Sequence, residues 1–276
     1  MNKSILITGS SSGIGKAAVT YFAGKGWNVI ATMRNPRQDH DWAGNPHILV
    51  LPLDVQDAGS IAAAIAAGIG HFGAIDAVLN NAGYGEFGIF EGASDQQVLE
   101  QFDINVFGVM RVIRAILPHF RDKKSGMVIN VSSGAGRFTL PLLSLYSASK
   151  FALEGFSEAL SYELSAINVP VKIIEPGGTS TNFSNVTREN TLNKKHFHEY
   201  DEFNEAAGKM FASLRGMALA TPEEVAAVIY EAATDGTDRL RYIVGNEDFR
   251  RRINDRLSLS DGEYLESVKS AYQRFM

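Results

Sequence analysis

The sequence predicts an α/β protein with a mostly parallel β-sheet that is covered by helices on both faces. Short apolar runs alternate with longer segments of helical periodicity as far as about residue 245. This alternation is typical of repeated βαβ units, in which a helix connects two parallel strands. Most of the apolar runs are rich in Ile, Leu and Val, as strands buried on both faces should be. We therefore expect three layers, with the sheet between two layers of helices.

The individual elements follow from these periodicities. We predict strands at residues 5–8, 27–33, 48–53, 75–80, 127–131, 171–175 and 241–244. We predict helices at residues 16–25, 57–72, 97–120, 145–167 and 222–233. The last helix has a clear start signal, because Thr221 precedes Pro222 and Glu224 follows three residues after the threonine. This combination predicts a capping box with proline at the first helical position.

The chain is predicted to form one domain over residues 1–245, since no repeat, low-complexity tract or proline-rich linker interrupts the pattern. Residues 179–220 lack strand character and carry many aromatic residues, so we interpret them as a lid insertion over the substrate. A connection of that length inside a compact domain is usually functional or partly helical. Residues 246–276 mix arginines with acids, and we interpret them as a solvated, helical C-terminal extension.

The composition excludes several classes of protein. The chain has 276 residues and no cysteine, which excludes disulfide frameworks, thiolate metal sites and a cysteine nucleophile, and we expect no metal. A net charge of -5 disfavours nucleic acids and anionic lipid surfaces as partners. No apolar run approaches the length of a membrane span, and the first one is too short for a secretion signal. We therefore predict a cytoplasmic protein with no nucleic-acid or membrane partner.

A glycine-rich segment lies between the first predicted strand and the first predicted helix. It contains Gly9, Ser11, Ser12, Gly13, Ile14 and Gly15. Glycines allow the backbone to turn sharply and to approach a pyrophosphate, whose negative charge the N-terminus of the following helix stabilises. The segment therefore predicts a dinucleotide-binding turn, and a tight turn without a ligand is the alternative.

The same segment also matches the G-x-S-x-G pattern of serine hydrolases, with Ser11 as the nucleophile. A hydrolase needs a histidine later in the chain, and three are available at His119, His196 and His198. However, the nucleophile of such enzymes normally follows several strands, whereas Ser11 follows the first one. The sequence also contains no glycine-rich oxyanion loop of the hydrolase type. The hydrolase interpretation is therefore kept only as an alternative.

The residues after the second and third predicted strands indicate which dinucleotide binds. Chains that bind NAD usually place an acid after the second strand, where it accepts hydrogen bonds from ribose hydroxyls. Here Arg34 stands in that region and the acid is missing. Because a guanidinium binds the extra phosphate of NADP, we predict NADP(H) in preference to NAD(H), with a solvated surface arginine as the alternative. Asp54, before Val55, is predicted to accept from the adenine amino group, to cap the next helix, or both.

Three further residues carry the predicted chemistry. Tyr146 and Lys150 are four residues apart in a predicted helix, so their side chains share one face. A neighbouring cation favours the phenolate form of tyrosine, which would make Tyr146 an acid–base catalyst. Ser133, after the fifth predicted strand, is expected to hold the carbonyl or alcohol oxygen in place for Tyr146. Ser132 competes for this role, and we prefer Ser133 because of its spacing to Tyr146.

These residues are part of a longer ordered set of motifs. The set is Thr8-Gly9-x-x-x-Gly13-Ile14-Gly15, Asn80-Asn81-Ala82-Gly83, Asn105, Ser133, Tyr146-x-x-x-Lys150 and Pro176-Gly177. It resembles the motif set of the classical short-chain dehydrogenases/reductases and covers residues 3 to about 245. The resemblance implies a Rossmann-type, doubly wound, mostly parallel sheet in three layers (α/β/α). It also implies hydride transfer between NAD(P)H and a carbonyl or alcohol.

The resemblance assigns a role to each matched residue. Tyr146 is the general acid/base, Lys150 lowers its pKa and binds the nicotinamide ribose, and Ser133 orients the substrate oxygen. Asn105 resembles the residue that holds a water molecule for the proton relay. Asn81, Ala82 and Gly83 are implied beside the adenosine ribose, and Pro176, Gly177, Thr179 and Thr181 beside the nicotinamide. The residues around Arg34 resemble those of the NADP-dependent members, including the hydroxysteroid and retinol dehydrogenase-like branch.

The walls of the predicted site are apolar. Three segments, at residues 84–90, 134–143 and beyond 179, contribute Phe87, Phe90, Phe138, Leu140, Leu142, Leu143, Phe183 and Phe211. We therefore expect a small apolar carbonyl or alcohol as the substrate, although packing in the core or lid is the alternative for part of this set.

The sequence also bears on self-association and on a function without catalysis. The predicted helix at residues 145–167 has a second apolar side with Phe151, Phe156 and Leu160, so a homodimer or homotetramer through this helix is expected by family resemblance. A non-catalytic module that binds a dinucleotide as a redox sensor is the other alternative to an enzyme.

Overall fold

The computed structural model describes residues 2–36, 42, 44–180, 196–216 and 219–276. These residues form one parallel sheet of seven strands, in the order β3-β2-β1-β4-β5-β6-β7. The strands are β1 (Ser4–Thr8), β2 (Asn28–Met33), β3 (Ile48–Pro52), β4 (Ala77–Asn80), β5 (Val128–Val131), β6 (Val171–Pro176) and β7 (Arg241–Val244). Helices cover both faces, so the predicted α/β/α fold with a doubly wound sheet is confirmed.

The strand order creates a crevice at one edge of the sheet. The chain runs from β1 outward to β3, returns to the centre at β4 and then continues on the other side to β7. The central pair β1 and β4 is parallel, with Ile5 opposite Ala77 and Ile7 opposite Leu79. Because the connections after β1 and β4 leave in opposite directions, the carboxyl ends of these strands border an open space.

The helices agree with the predicted elements at most positions. They are α1 (Gly13–Gly24), α2 (Ala58–Phe72), α3 (Asp95–Phe102), α4 (Val109–Lys123), α5 (Ser144–Ser165), α6 (Asp201–Arg215), α7 (Pro222–Thr234), α8 (Glu247–Ser258) and α9 (Asp261–Gln273). The single helix predicted at residues 97–120 is divided by a π-helical turn, Asp103–Gly108, that lies between α3 and α4. The predicted capping box of α7 is present, since the Thr221 hydroxyl accepts from the backbone N–H of Glu224 at 3.1 Å.

Each face of the sheet has its own hydrophobic core. On one face α1 and α7 pack against the strands, and Phe22 and Ile229 are fully buried there. On the other face α2, α4 and α5 form the layer, with Ile61 and Ile116 fully buried. The two cores fix the positions of the strand ends and of the helices that begin beside them.

The second apolar side of α5 differs from the prediction. Leu160 is buried in the core and Phe156 packs against it, whereas Phe151 is 41% exposed. Phe156 and Leu160 are four residues apart, so the helical period places both on the inner side of α5. The expectation that all three residues form an outer apolar side is therefore wrong for Phe156 and Leu160.

Candidate active site

A single cleft at the carboxyl ends of the central strands has a volume of about 720 Å³. Most of the predicted site residues line it: Gly9, Ser11, Ser12, Gly13, Ile14, Arg34, Asp54, Val55, Asn81, Ala82, Gly83, Ser133, Tyr146, Lys150, Pro176, Gly177 and Thr179. Gly15 and Asn105 are buried and do not line the cleft, and Thr181 lies outside the described residues. The fold therefore brings residues from opposite ends of the chain to one place.

The glycine turn after β1 depends on residues without a side chain. Gly9 and Gly13 have positive φ angles of 69° and 54°, a region that favours glycine. A Cβ atom at Gly15 would lie only 2.2 Å from the carbonyl oxygen of Gly9. The backbone at this turn therefore carries no side chains at these glycines, so a bound group can come close to it.

Polar contacts with the next strand hold the turn in place. The side-chain amide of Asn81, directly after β4, donates to the carbonyl oxygens of Thr8 and Gly9, each at 3.0 Å. The Thr8 hydroxyl accepts from the backbone N–H groups of Asn81 and Ala82 at 3.0 and 3.1 Å. Thr8 was part of the motif set, but the sequence analysis assigned it no role. The structure places it as the link between the two central strand ends.

The N-terminus of α1 faces the same cleft. Ser12 is the N-cap residue, but its side chain makes no capping hydrogen bond. Ser12, Gly13 and Ile14 all line the cleft. Backbone N–H groups and the positive end of a helix dipole are a favourable environment for a phosphate group. The local geometry therefore fits the pyrophosphate of a dinucleotide.

The ends of β2 and β3 form another part of the cleft. Arg34 directly follows β2, is exposed and lines the cleft. Asp54 follows β3 and also lines the cleft. One carboxylate oxygen of Asp54 accepts from the backbone N–H of Gln56 at 3.0 Å. The N-cap of α2 is Asp57, whose side chain accepts from the N–H of Gly59. The expectation that Asp54 caps this helix is therefore wrong, because the N-cap residue lies three positions later.

Ser133 and Tyr146 meet at the chemical part of the cleft. Ser133 follows β5 and caps a short 3-10 turn by accepting from the backbone N–H of Ala135 at 3.1 Å. Its hydroxyl also forms a hydrogen bond with Tyr146, which favours the phenolate. Ser132 is buried, and within the described part of the chain its hydroxyl oxygen has no hydrogen-bond partner. The structure thus brings Ser133, rather than Ser132, to Tyr146.

Tyr146 and Lys150 lie on one side of α5, and both are buried. The Lys150 ammonium group lies 5.8 Å from the centre of the Tyr146 ring and donates to the carbonyl oxygen of Val131 at 2.9 Å. Burial raises the pKa of Tyr146 to about 12, although the hydrogen bond from Ser133 acts in the opposite direction. Burial lowers the pKa of Lys150 to about 8, and Glu154 partly opposes this effect.

These pKa values differ from the expectation that Lys150 lowers the pKa of Tyr146. Burial disfavours the charged form of both groups, so the phenol and the amine are each shifted toward neutrality. The hydrogen bond from Ser133 is the contact that favours the phenolate in this structure.

The lowered pKa of Lys150 predicts how stability depends on pH. The folded protein loses this proton near pH 8, whereas an unfolded lysine keeps it up to its ordinary pKa of 10.5. Between these values the unfolded chain binds more protons, so the free energy of unfolding should rise with pH. Urea denaturation of the wild type and Lys150→Met from pH 7.5 to 10.5 isolates this effect. The wild type should gain about 3 kcal/mol relative to the variant, and a constant difference would contradict the burial of a titrating ammonium group.

An ion-pair network lies behind Lys150. Glu154, one helical turn along α5, pairs with Arg241 at 3.0 Å. Glu175 is fully buried in β6 and pairs with Arg137 at 2.7 Å. Sequence reasoning missed this network, because its members come from α5, β6, β7 and the 3-10 turn and share no local pattern.

Asn105 has a structural function in the π-helical turn. Its side-chain oxygen accepts from the backbone N–H of Tyr84 at 3.0 Å, and its nitrogen donates to the Tyr84 carbonyl at 2.8 Å. The nitrogen also donates to the Ser149 hydroxyl at 3.1 Å. The side chain thus connects the segment after β4 to α5. Its role in holding a water molecule stays a prediction, and π-helical turns of this kind are common at functional sites.

The apolar wall of the cleft contains part of the predicted set. Phe87, Phe138, Leu140, Leu143 and Phe211 line the cleft. The Phe87 ring stacks on Tyr146 with their centres 5.8 Å apart. Phe90 is 58% exposed and, like Leu142, does not line the cleft, while Phe183 lies outside the described residues.

The C-terminal extension also lines the cleft, which the sequence analysis missed. Its contributing residues are Asn246, Asp248, Phe249 and Arg252. Phe249 stacks edge-on against Phe138 with the ring centres 5.8 Å apart, and Tyr264 is buried beside them. The interpretation of this segment as a solvated appendage is therefore wrong for these residues. Phe249 and Tyr264 pack with Phe138 in a small hydrophobic core, separate from the two cores on the faces of the sheet.

The three histidines considered for a hydrolase do not approach Ser11. His119 accepts from the backbone N–H of Ile75 at 3.1 Å, just before β4 begins. His196 and His198 are exposed beside the start of α6, where both contact Asp201. None of the three histidines lines the cleft, whereas Ser11 does. None of them can therefore act as a base for Ser11.

In the part of the chain that the structure describes, no helix has the length and apolar character needed to cross a membrane.

Comparisons with known proteins agree with this geometry. The model of the short chain dehydrogenase family matches residues 3–192. An uncharacterized oxidoreductase of Schizosaccharomyces pombe is 42% identical over 216 residues, which are 78% of this chain and 89% of that protein. A crystal structure of a short-chain dehydrogenase from Streptomyces avermitilis is 30% identical, with a TM-score of 0.81 over 99% of this chain and 98% of that one. A serine dehydrogenase solved as a complex with NADP+ is 26% identical, with a TM-score of 0.73 over 87% and 93% of the two chains.

The matched family segment covers more than half of the chain and includes the glycine turn, Asn81, Asn105, Ser133, Tyr146 and Lys150. The protein is therefore an oxidoreductase of the short chain dehydrogenase family.

Proposed function

We propose that this oxidoreductase uses NADP(H) and transfers a hydride between the nicotinamide and the carbonyl or secondary alcohol of an apolar small molecule. The observation that carries the proposal is one continuous cleft with two chemically different parts. The glycine turn and the N-terminus of α1 line one part, and Ser133, Tyr146 and Lys150 line the other. A dinucleotide joins a pyrophosphate to a reactive ring, so it matches both parts at once.

The residues present fit such a cofactor. The bare backbone at Gly9 and Gly13 would hold the pyrophosphate, and Asp54 and Val55 would contact the adenine. In this proposal Asn81, Ala82 and Gly83 would lie beside the adenosine ribose, and Pro176, Gly177 and Thr179 beside the nicotinamide, because all of them line the cleft. Lys150 would bind the nicotinamide ribose. The nicotinamide supplies or accepts the hydride when it is bound.

Side chains of the protein donate and accept the proton of the reaction. In the reducing direction the Tyr146 hydroxyl donates its proton to the carbonyl oxygen, while Ser133 donates a hydrogen bond to that oxygen. A pKa of about 12 keeps Tyr146 protonated at neutral pH, which is the state that reduction needs. In the oxidising direction Tyr146 must first lose this proton, so oxidation should become faster as the pH rises. Phe87 stacks on Tyr146 and covers one face of its ring.

The preference for NADP(H) is supported by Arg34. It is exposed, lines the cleft and stands directly after β2, and residues 34–37 contain no acid that would repel a ribose phosphate. Its guanidinium can bind a phosphate through two parallel hydrogen bonds.

Replacing Arg34 by alanine should raise the KM for NADPH about 10-fold or more, because a charge-assisted hydrogen bond contributes about 1.5–3 kcal/mol. The KM for NADH should change much less. Arg114→Ala is the matched control, since Arg114 is exposed on α4 and does not line the cleft. Initial rates with both cofactors measure the effect, and equal changes for NADPH and NADH would refute a phosphate-binding role.

The apolar lining supports the proposed substrate class. Turnover with NADPH should be fastest for apolar ketones and aldehydes and slow for sugars and acyl-carrier substrates. Activity on the polar set alone would overturn this part of the proposal.

Self-association and cellular location also belong to the proposal. We infer a homodimer or homotetramer that uses the exposed side of α5, where Phe151 is 41% exposed. We also infer that the protein acts in the cytoplasm without a nucleic-acid or membrane partner, as its charge suggested.

A further inference from the structure

Helix α8 is docked at the chemical part of the cleft by one aromatic ring. Phe249 lies against three glycines: Gly134, which follows Ser133, Gly177 at the end of β6, and Gly245 at the end of β7. A Cβ atom at Gly134 would lie 2.1 Å from this ring, and one at Gly245 would lie 2.3 Å from it. The three positions therefore leave room for the ring only because they have no side chains. This contact fixes α8 relative to Ser133.

Arg252 lies on the same face of α8, three residues after Phe249. At about 1.5 Å per residue it is about 4.5 Å farther along the helix axis. Its side chain is only 21% exposed and lines the cleft. The same cleft is also lined by apolar side chains, among them Phe138, Leu140 and Leu143. A guanidinium group therefore lines the same cleft as these apolar side chains, next to the polar residues Asn246 and Asp248.

Part of the Arg252 guanidinium group is not used in hydrogen bonds within the described residues. Its Nε group donates to one carboxylate oxygen of Asp248 at 2.8 Å. The other oxygen of Asp248 is bonded by Arg251, which is exposed. Among the residues that the structure describes, the two terminal nitrogens of Arg252 have no hydrogen-bond partner. Planar pairs of such N–H donors match the two oxygens of a carboxylate.

We propose that the substrate carries a carboxylate at the end of an apolar spacer, and that Arg252 binds this carboxylate while Ser133 and Tyr146 hold the reacting oxygen. The inference rests on the proposed function and narrows its substrate class to apolar oxo acids and the corresponding hydroxy acids. The spacer packs against Phe138 and Phe249. Arg252 is thus a specificity-determining residue that lies outside the segment matched by the family model.

Kinetics of the enzyme with NADPH test the proposal. A series of medium-chain oxo acids is compared with methyl ketones of the same length, and the ratio of their kcat/KM values is measured. The wild type should prefer the oxo acids, and Arg252→Gln should lower the ratio about 10- to 100-fold, mainly through KM for the acids. Arg250→Gln is the matched control, because Arg250 is exposed on the same helix and does not line the cleft. It should leave the ratio as in the wild type.

A binding measurement gives a readout that does not depend on turnover. Saturated alkanoates, which cannot be reduced, are titrated calorimetrically into the complex with NADPH. The wild type and Arg250→Gln should bind them at least 10-fold more tightly than Arg252→Gln does. Equal binding by all three proteins would overturn the proposal even if ketones are reduced.

The outcomes separate this inference from the proposed function. Reduction of ketones without any preference for oxo acids would refute the carboxylate site and leave the reductase intact. A preference for ketones that carry an ammonium group would also refute it and would point to Asp248 instead. Failure to bind NADPH or to reduce any ketone would refute the proposed function, and alkanoate binding to the protein would then still decide the role of Arg252.

Discussion

Replacing Tyr146 by phenylalanine should lower the rate of hydride transfer by about 10²- to 10⁴-fold, the usual contribution of a general acid–base catalyst. The variant keeps the ring that stacks on Phe87 at 5.8 Å and loses only the hydroxyl that Ser133 contacts. Binding of NADPH should persist, because the glycine turn and Arg34 are unchanged. Stopped-flow measurement of NADPH oxidation with an apolar ketone gives the rate, and fluorescence titration gives the cofactor affinity.

Tyr162→Phe is the matched control for this experiment. Tyr162 lies on the same helix, is 71% exposed and does not line the cleft, so the same chemical change there should leave the rate unaltered. A Tyr146→Phe enzyme with the activity of the wild type would show that another group supplies the proton. If wild type and variant both bind NADPH but neither turns over any carbonyl compound, a dinucleotide sensor would be the better interpretation.

Replacing Gly15 by alanine should destabilise the fold by about 1–3 kcal/mol or more and remove most of the affinity for NADPH. The new Cβ atom would lie 2.2 Å from the Gly9 carbonyl oxygen and 2.6 Å from the side-chain nitrogen of Asn81. Both contacts belong to the backbone turn that would hold the pyrophosphate, so the turn must move to relieve them. Urea denaturation measures the stability, and fluorescence titration measures the loss of NADPH binding.

Gly24→Ala is the corresponding control in the same helix. No heavy atom lies within 4 Å of a Cβ atom at Gly24, and alanine restricts the unfolded chain more than glycine does. This variant should be about 0.4–1 kcal/mol more stable than the wild type, with unchanged affinity for NADPH. If Gly15→Ala bound NADPH as tightly as Gly24→Ala, the close approach of the backbone at Gly15 would not matter for the cofactor.

Local patterns in the sequence were sufficient for much of the fold and for both parts of the cleft. Strands buried on both faces are recognisable from their apolar runs, and glycines between a strand and a helix indicate where the backbone must turn sharply. The four-residue spacing of Tyr146 and Lys150 placed both on one side of α5, because the helical period is a local property. The same period gave a wrong prediction at Phe156 and Leu160, since it cannot tell which side of a helix faces the core.

Other features depend on residues that are distant in the sequence. The π-helical turn around Asn105 interrupts a continuous helical pattern, and its side chain bonds to Tyr84 and Ser149 on other elements. The pKa of Tyr146 depends on how deeply α5 is buried, which outweighs the charge that the spacing to Lys150 suggested.

The amino-acid sequence alone determined the alternation of strands and helices, the position of the glycine turn and the four-residue spacing of Tyr146 and Lys150. Each of these features depends on residues that are close together in the sequence. Only the tertiary structure showed that α8 reaches the cleft, with Phe249 against glycines from three separate segments and Arg252 beside them. Such a contact requires several strand ends to meet at one edge of the sheet, and no local pattern contains that information.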